Sequence, residues 1–365
     1  MECSKTPPDE PEAERMTRGP RVPVTVLAPE CQQTDLLRRL AADGDNFVIA
    51  SEDTLASNGL LGLIRVGRAA VVAPDVTSRT LGCKCCQLRV DLVDAIRHAV
   101  LRRSAPRRLI AVVDRATTSG CDRAYDDDPT TDVVTCIHTV QADSEIERLA
   151  SLDGVVVEVD ARSASTRLAS GFRLWSAQTE AALAIADRIV VTDARLLTTS
   201  ARTALKQELR MVNRIGRVSL DSPTETIVDD LVDLDAWHRA PQCGVGSPSA
   251  LSSATDPGTP AIDTVVLRRH GVLNPDAADA WLDQVVAVAP SRLLRFQAAL
   301  RVSTHEHRVC VRGSRSVLRS QSEHDPAGMS PGEPRRDGDS VVVLIGRELD
   351  RHALSEGFAS IEATR

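Results

Sequence analysis

Residues 178–197 read QTEAALAIADRIVVTDARLL, and this stretch decides the architecture. Its first part is rich in alanine and leucine and reads as a helix. Its second part, DRIVVTD at 187–193, is a β-branched run closed by an aspartate and reads as a buried strand. The same grammar recurs outward from it. VPVTVLA (22–28), NFVIAS (46–51), AAVVAP (69–74), RLIAVVD (108–114) and GVVVEVD (154–160) read as strands. TDLLRRLAAD has helical spacing, and QLRVDLVDAIRHAVLRR places Leu88, Leu92, Ile96 and Val100 on one stripe. TSARTALKQELRMVNRIG reads as a further helix with Gly216 as its stop. Strands that alternate with helices imply βα units and a mainly parallel sheet over roughly 21–220.

The pattern then changes. PQCGVGSPSALSSATDPGTP (241–260) is rich in Pro, Gly and Ser, and 221–260 is assigned as a linker. From 261 to 365, DTVVLRR, RLLRFQAALRV, HRVCVRG, SVLRSQ and SVVVLIG read as strands. PDAADAWLDQVVAVA and DRHALSEGFASI read as helices, which makes a small α+β domain. Residues 1–20 are Pro- and acid-rich and read as a disordered tail.

Composition excludes several roles. The net charge of −7 argues against a general nucleic-acid binder. No apolar run reaches the ~18 residues of a membrane span, and the first 20 residues lack a secretory apolar segment, so a cytoplasmic location is expected. Nine cysteines, an odd number and scattered, suit free thiols or metal ligands better than a disulfide framework. Aromatics are only 2%, so the core must be aliphatic.

LGCKCCQLRVDLVDAI (81–96) concentrates three of those cysteines. Cys83, Cys85 and Cys86 offer soft thiolates suited to Zn2+ or Cu+, and Lys84 among them favours the thiolate form. The bland alternative is a set of small buried residues at a strand–helix junction. Three thiols leave a fourth tetrahedral position for water, a partner's ligand, or a carboxylate such as Glu52 or Asp53. An open site of this kind suits transfer rather than permanent structural zinc. His305 and His307, two apart on an expected strand, form a weaker candidate pair, with a solvated hairpin as the alternative.

The order of these segments resembles the CobW-type GTPases linked to metal homeostasis. The resemblance rests on GCKCC (82–86), LDGVVVEVDA (152–161), QTEAALAIADRIVVTDARLL (178–197), RLLRFQAAL (292–300) and VVVLIGRELD (341–350). It implies a P-loop-GTPase-like α/β domain, a mainly parallel sheet flanked by helices, followed by a small α+β C-terminal domain. It also implies a GTP- and metal-linked role with a protein client or regulator. No membrane partner is expected, and the oligomeric state is open.

Two departures argue against the nucleotide. A phosphate loop needs G-x-x-x-x-G-K-[ST], with glycines for close backbone approach and a lysine for the phosphates. After the first strand this chain has APECQQTDLLRRL, with Glu30, Cys31, Gln32, Gln33 and Thr34 in the vestigial loop and neither glycine nor lysine. Glu30 and Asp35 bring negative charge to a triphosphate position. Arg38 or Arg39 could rescue such a loop. In the guanine-reading segment the family's lysine is replaced by Asp193 and its aspartate by Arg195, which has donors only. GTP and Mg2+ are therefore not expected as cofactors, whereas Zn2+ is. The expected function is a zinc-handling chaperone or sensor without GTP hydrolysis. Its rivals are a residual NTPase with an atypical phosphate loop and a non-catalytic scaffold in a zinc-scarcity response.

Overall fold

The computed structural model describes residues 21–30, 35–50, 52–60, 84–101, 105–113, 131–170, 175, 177–220, 231, 234–237, 262–288, 292–305, 308–322 and 339–361. The first sheet is built from β1 (Val22–Pro29), β2 (Asn46–Ile49), β3 (Arg108–Val112), β4 (Ala150–Asp160), β5 (Arg188–Thr192) and β6 (Arg217–Ser219). All neighbours are parallel, in the order β2-β3-β1-β4-β5-β6. The βα grammar of the sequence thus yields the parallel sheet it implied. The strand expected at 69–74 lies outside the described residues.

The strands are aliphatic on both faces because helices cover both. On one face α1 (Asp35–Ala42) and α2 (Glu52–Ser57) bury Leu36, Leu37, Leu40 and Leu55 against Leu27, Val48, Ile110 and Val156. On the other lie α3 (Lys84–Val100), α4 (Thr131–Ala142), α5 (Ser144–Leu149), α6 (Ala161–Ser170), α7 (Ala177–Ile185) and α8 (Thr199–Val212). Ile96, Ile137, Ile146, Leu183, Ile185, Leu205 and Leu209 all enter that larger core.

Helix α8 does not run to Gly216 as its sequence suggested. Its C-cap is Asn213, fully buried, whose amide donates to the Leu183 and Ala186 carbonyls and whose oxygen accepts from the Ile215 and Gly216 N–H groups. Gly216 serves a different need. A Cβ there would lie 2.4 Å from the Ala186 carbonyl oxygen, so the glycine permits close backbone approach.

Within the stretch assigned as linker, Leu231 and Leu234–Trp237 pack on the first sheet. The Asp153 carboxylate accepts from the Leu234 and Asp235 N–H groups at 3.1 and 2.6 Å, and Leu231 is buried in the α1-side core.

The second sheet is antiparallel, in the order β10-β9-β8-β11-β7. Its strands are β7 (Ile262–Arg269), β8 (Leu293–Leu300), β9 (Val309–Ser314), β10 (Val317–Ser322) and β11 (Ser340–Arg347). One face takes α9 (Pro275–Val288) and α10 (Arg351–Ser360), with Trp281 packed on Phe296 and Phe358. The other face meets the first domain, and Leu294, Val343 and Ile345 join the larger core of that domain. Period-2 alternation explains the split, since Phe296 and Ala298 face the helices while Arg295 and Gln297 reach the first domain. Among the described residues no helix is long and apolar enough to cross a membrane.

Candidate functional site

Open α/β sheets bind ligands outside the carboxyl ends of their strands. Here that edge is formed by Glu30 after β1, Asp160 at the end of β4 and Asp193 after β5. Glu30 is pulled inward because its backbone N–H continues the β1–β4 ladder, donating to the Glu158 carbonyl at 3.0 Å. Its side chain is only 2% exposed. One carboxylate oxygen accepts from Arg167 Nη1 at 2.7 Å, and the other accepts from the Asp160 N–H at 3.0 Å. Arg167 projects from α6 and is 30% exposed. A guanidinium and a backbone amide converging on one carboxylate make a short, charge-assisted set of bonds.

Asp160 caps α6. Its carboxylate accepts from the Arg162 and Ser163 N–H groups at 3.3 and 3.1 Å, which satisfies two of the orphan donors at that helix start. Asp193 sits in the left-handed region (φ 58) before a 3-10 turn, Ala194–Leu196, and pairs with Arg162 at 3.4 Å. Arg195 lies in that turn and is exposed. The edge is thus lined by carboxylate–arginine pairs. Arg38, considered as a rescue for the missing lysine, instead pairs with Asp35 at 2.7 Å and donates to the Asn58 carbonyl.

Cys31, Gln32, Gln33 and Thr34 lie outside the described residues, as does Cys83. Helix α3 begins at Lys84, so Cys85 and Cys86 stand in its first turn; their side chains, and those of Glu52 and Asp53 at the start of α2, are outside the described set. His305 follows a turn at 303–304, its N–H donating to the Val302 carbonyl at 3.3 Å, and is not on a strand, since β9 begins only at Val309. Its Nδ1 is 2.9 Å from Thr304 Oγ1, and its exposure fits the solvated alternative. His307 lies outside the described residues. No group of three His, Cys, Asp or Glu side chains able to hold a metal occurs among the described residues. Cys310 and Cys136 are buried.

Sequence reasoning missed Arg167, whose partner is 137 positions away. It also missed a buried node between the domains. Arg295, on β8 and 1% exposed, pairs with Asp187 Oδ1, donates to the Ile185 carbonyl and lies 4.7 Å over the Trp237 ring. Asp187 Oδ2 accepts from the Val155 N–H at 2.8 Å and from Trp237 Nε1 at 3.1 Å. A second link joins α3 to α5. The Arg97 guanidinium, hydrogen-bonded to Glu145, holds that carboxyl below its ordinary value, and Glu145 raises Arg97 in turn.

Residues 262–362 match the cobalamin synthesis protein cobW C-terminal domain. The Zn(II)-bound YjiA GTPase from E. coli shares the fold, with a TM-score of 0.62 and 15% identity over 94% of this chain and all of that one. A Zn(II)-bound triple mutant of YjiA, with one glutamate and two cysteines changed to alanine, gives 0.62 and 16% with the same coverage. Curated protein sequences give no match. Residues 262–362 thus match the cobW C-terminal domain, and the fold across both sheets is similar to that of YjiA.

Proposed function

We propose that this protein handles zinc without binding or hydrolysing GTP. It takes the ion as cargo on Cys83, Cys85 and Cys86 and presents it to, or senses it for, a protein partner in the cytoplasm. The observation that carries the nucleotide half is the carboxyl edge of the sheet. Where a triphosphate's anionic oxygens would need positive charge and open backbone N–H groups, Glu30 and Asp193 offer carboxylates already paired with Arg167 and Arg162. A second anion brought against a buried carboxylate is repelled at close range. The base-reading position compounds this, because Arg195 cannot accept the hydrogen bonds that a guanine ring N–H and amino group donate.

The metal half rests on donor chemistry. Cys83, Cys85 and Cys86 would supply a soft thiolate set that fits Zn2+, with Cys85 and Cys86 in the first turn of α3, and the zinc-bound state of YjiA, a protein of the same fold, supports that choice of ion. Thiols must lose protons to bind, so zinc affinity should rise from pH 6 to pH 8. Titration of the full chain against a competing zinc chelator tests this reading. Replacing Cys83, Cys85 and Cys86 together by Ser should abolish tight binding, with little change in the metal-free melting temperature. A triple variant that still holds one zinc as tightly as the parent would make the cysteines packing residues.

A further inference from the structure

We infer that Glu30 is an internal stand-in for a phosphate: its carboxylate occupies an anion position built by Arg167 and the Asp160 amide, and so determines that this edge accepts no external anion. The inference rests on the reading that the site takes no nucleotide and names the residue responsible. Three observations converge on it. The carboxylate is almost wholly buried although it follows directly on a strand end at the sheet's ligand-binding edge. Its two oxygens are held separately, one by a guanidinium at 2.7 Å and one by a backbone N–H at 3.0 Å, the two donor types that proteins use to hold phosphate oxygens. That amide belongs to Asp160, the residue capping α6, and Arg167 lies two turns further along the same helix, so the single carboxylate fixes α6 to the end of β1.

A bound phosphate would tie the same elements together from solution. Here the tie is covalent to the chain and permanent, and the edge is set without any ligand. Asp160 caps the helix at the same time, its own carboxylate accepting from the Arg162 and Ser163 N–H groups while its backbone N–H donates to Glu30.

The test is chemical rescue with inorganic phosphate. Glu30→Ala should lower the melting midpoint by about 5 °C or more, the scale expected for losing a buried charged partner. Phosphate should then raise the midpoint of Glu30→Ala more than sodium chloride does at matched ionic strength. It should not do so for the parent or for Glu30→Ala combined with Arg167→Gln. Equal response of parent and variant to phosphate, or no response of either, overturns the inference. If Glu30→Ala does not accumulate in folded form, a double-mutant cycle of Glu30→Gln and Arg167→Gln decides. The inference expects the double variant to be scarcely less stable than the single ones, and simple additivity overturns it. Saturable GTP binding by the parent would instead sink the functional reading. A phosphate-indifferent Glu30→Ala, with a parent that binds no GTP, sinks this inference alone.

Discussion

Asp187 ties the two domains together through one side chain. Its carboxylate holds the Val155 N–H of β4, the Trp237 indole and the Arg295 guanidinium of the second sheet. Removing it leaves Arg295, which is 1% exposed, as a buried charge without its counter-ion. Asp187→Ala should therefore cost about 3–5 kcal/mol in urea unfolding. Asp187→Ala combined with Arg295→Met should recover much of that loss, because the stranded charge goes with it. A double variant less stable than Asp187→Ala would show that packing over Trp237, and not the charge pair, dominates the node. The sequence announces part of this. The aspartate opening DRIVVTD and the second arginine of RLLRFQ, Arg295, both stand in segments that resemble the CobW type. Their meeting across 108 positions is a product of the fold and no local spacing encodes it.

Elements differ in how openly the sequence declares them. Those with one clean period were legible: the aliphatic strands β1, β3, β4 and β5, the stripe of α3, and α9 with Pro275 in its first turn. Helix α4 was not, because TDVVTCIHTVQA is dense in β-branched residues with poor helix propensity, and only burial of Val133, Val134, Ile137 and Val140 makes it helical. Helix α6 offers only Ala161, Ala164 and Leu168 to the core and is capped by Asp160. The link between α3 and α5 yields a prediction at this scale. Glu145 has its folded-state pKa lowered by Arg97, so its contribution is present above the unfolded glutamate value of ~4.3 and is lost as pH falls through the lower folded value. Arg97→Gln should reduce stability at pH 7, and the gap to the parent should close in the acid range below that value. A gap of the same size at pH 3 as at pH 7 would assign the effect to the packing of the arginine stem. The pair is partly exposed, so added salt should shrink the gap as well.

At the scale of the whole molecule, the two sheets share one interface. Leu294, Val343 and Ile345 enter the first domain's core, and Arg319 on β10 reaches Glu147 at 3.0 Å and the Gln141 carbonyl at 3.1 Å. The domain order was legible because the period of the pattern changes after the Pro- and Ser-rich stretch, and the CobW-type ending VVVLIGRELD marks the second domain. The interface was not, since its polar members read in isolation as ordinary strand residues. The proposal that no nucleotide binds rests on the carboxyl edge of the first sheet, where Glu30 pairs with Arg167 and Asp193 with Arg162. That account stands or falls on nucleotide affinity. Calorimetric titration of GTP with Mg2+ into the full chain, both zinc-loaded and zinc-free, should give no saturable heat in either state, and saturable binding that requires Mg2+ and is competed by GDP would contradict it.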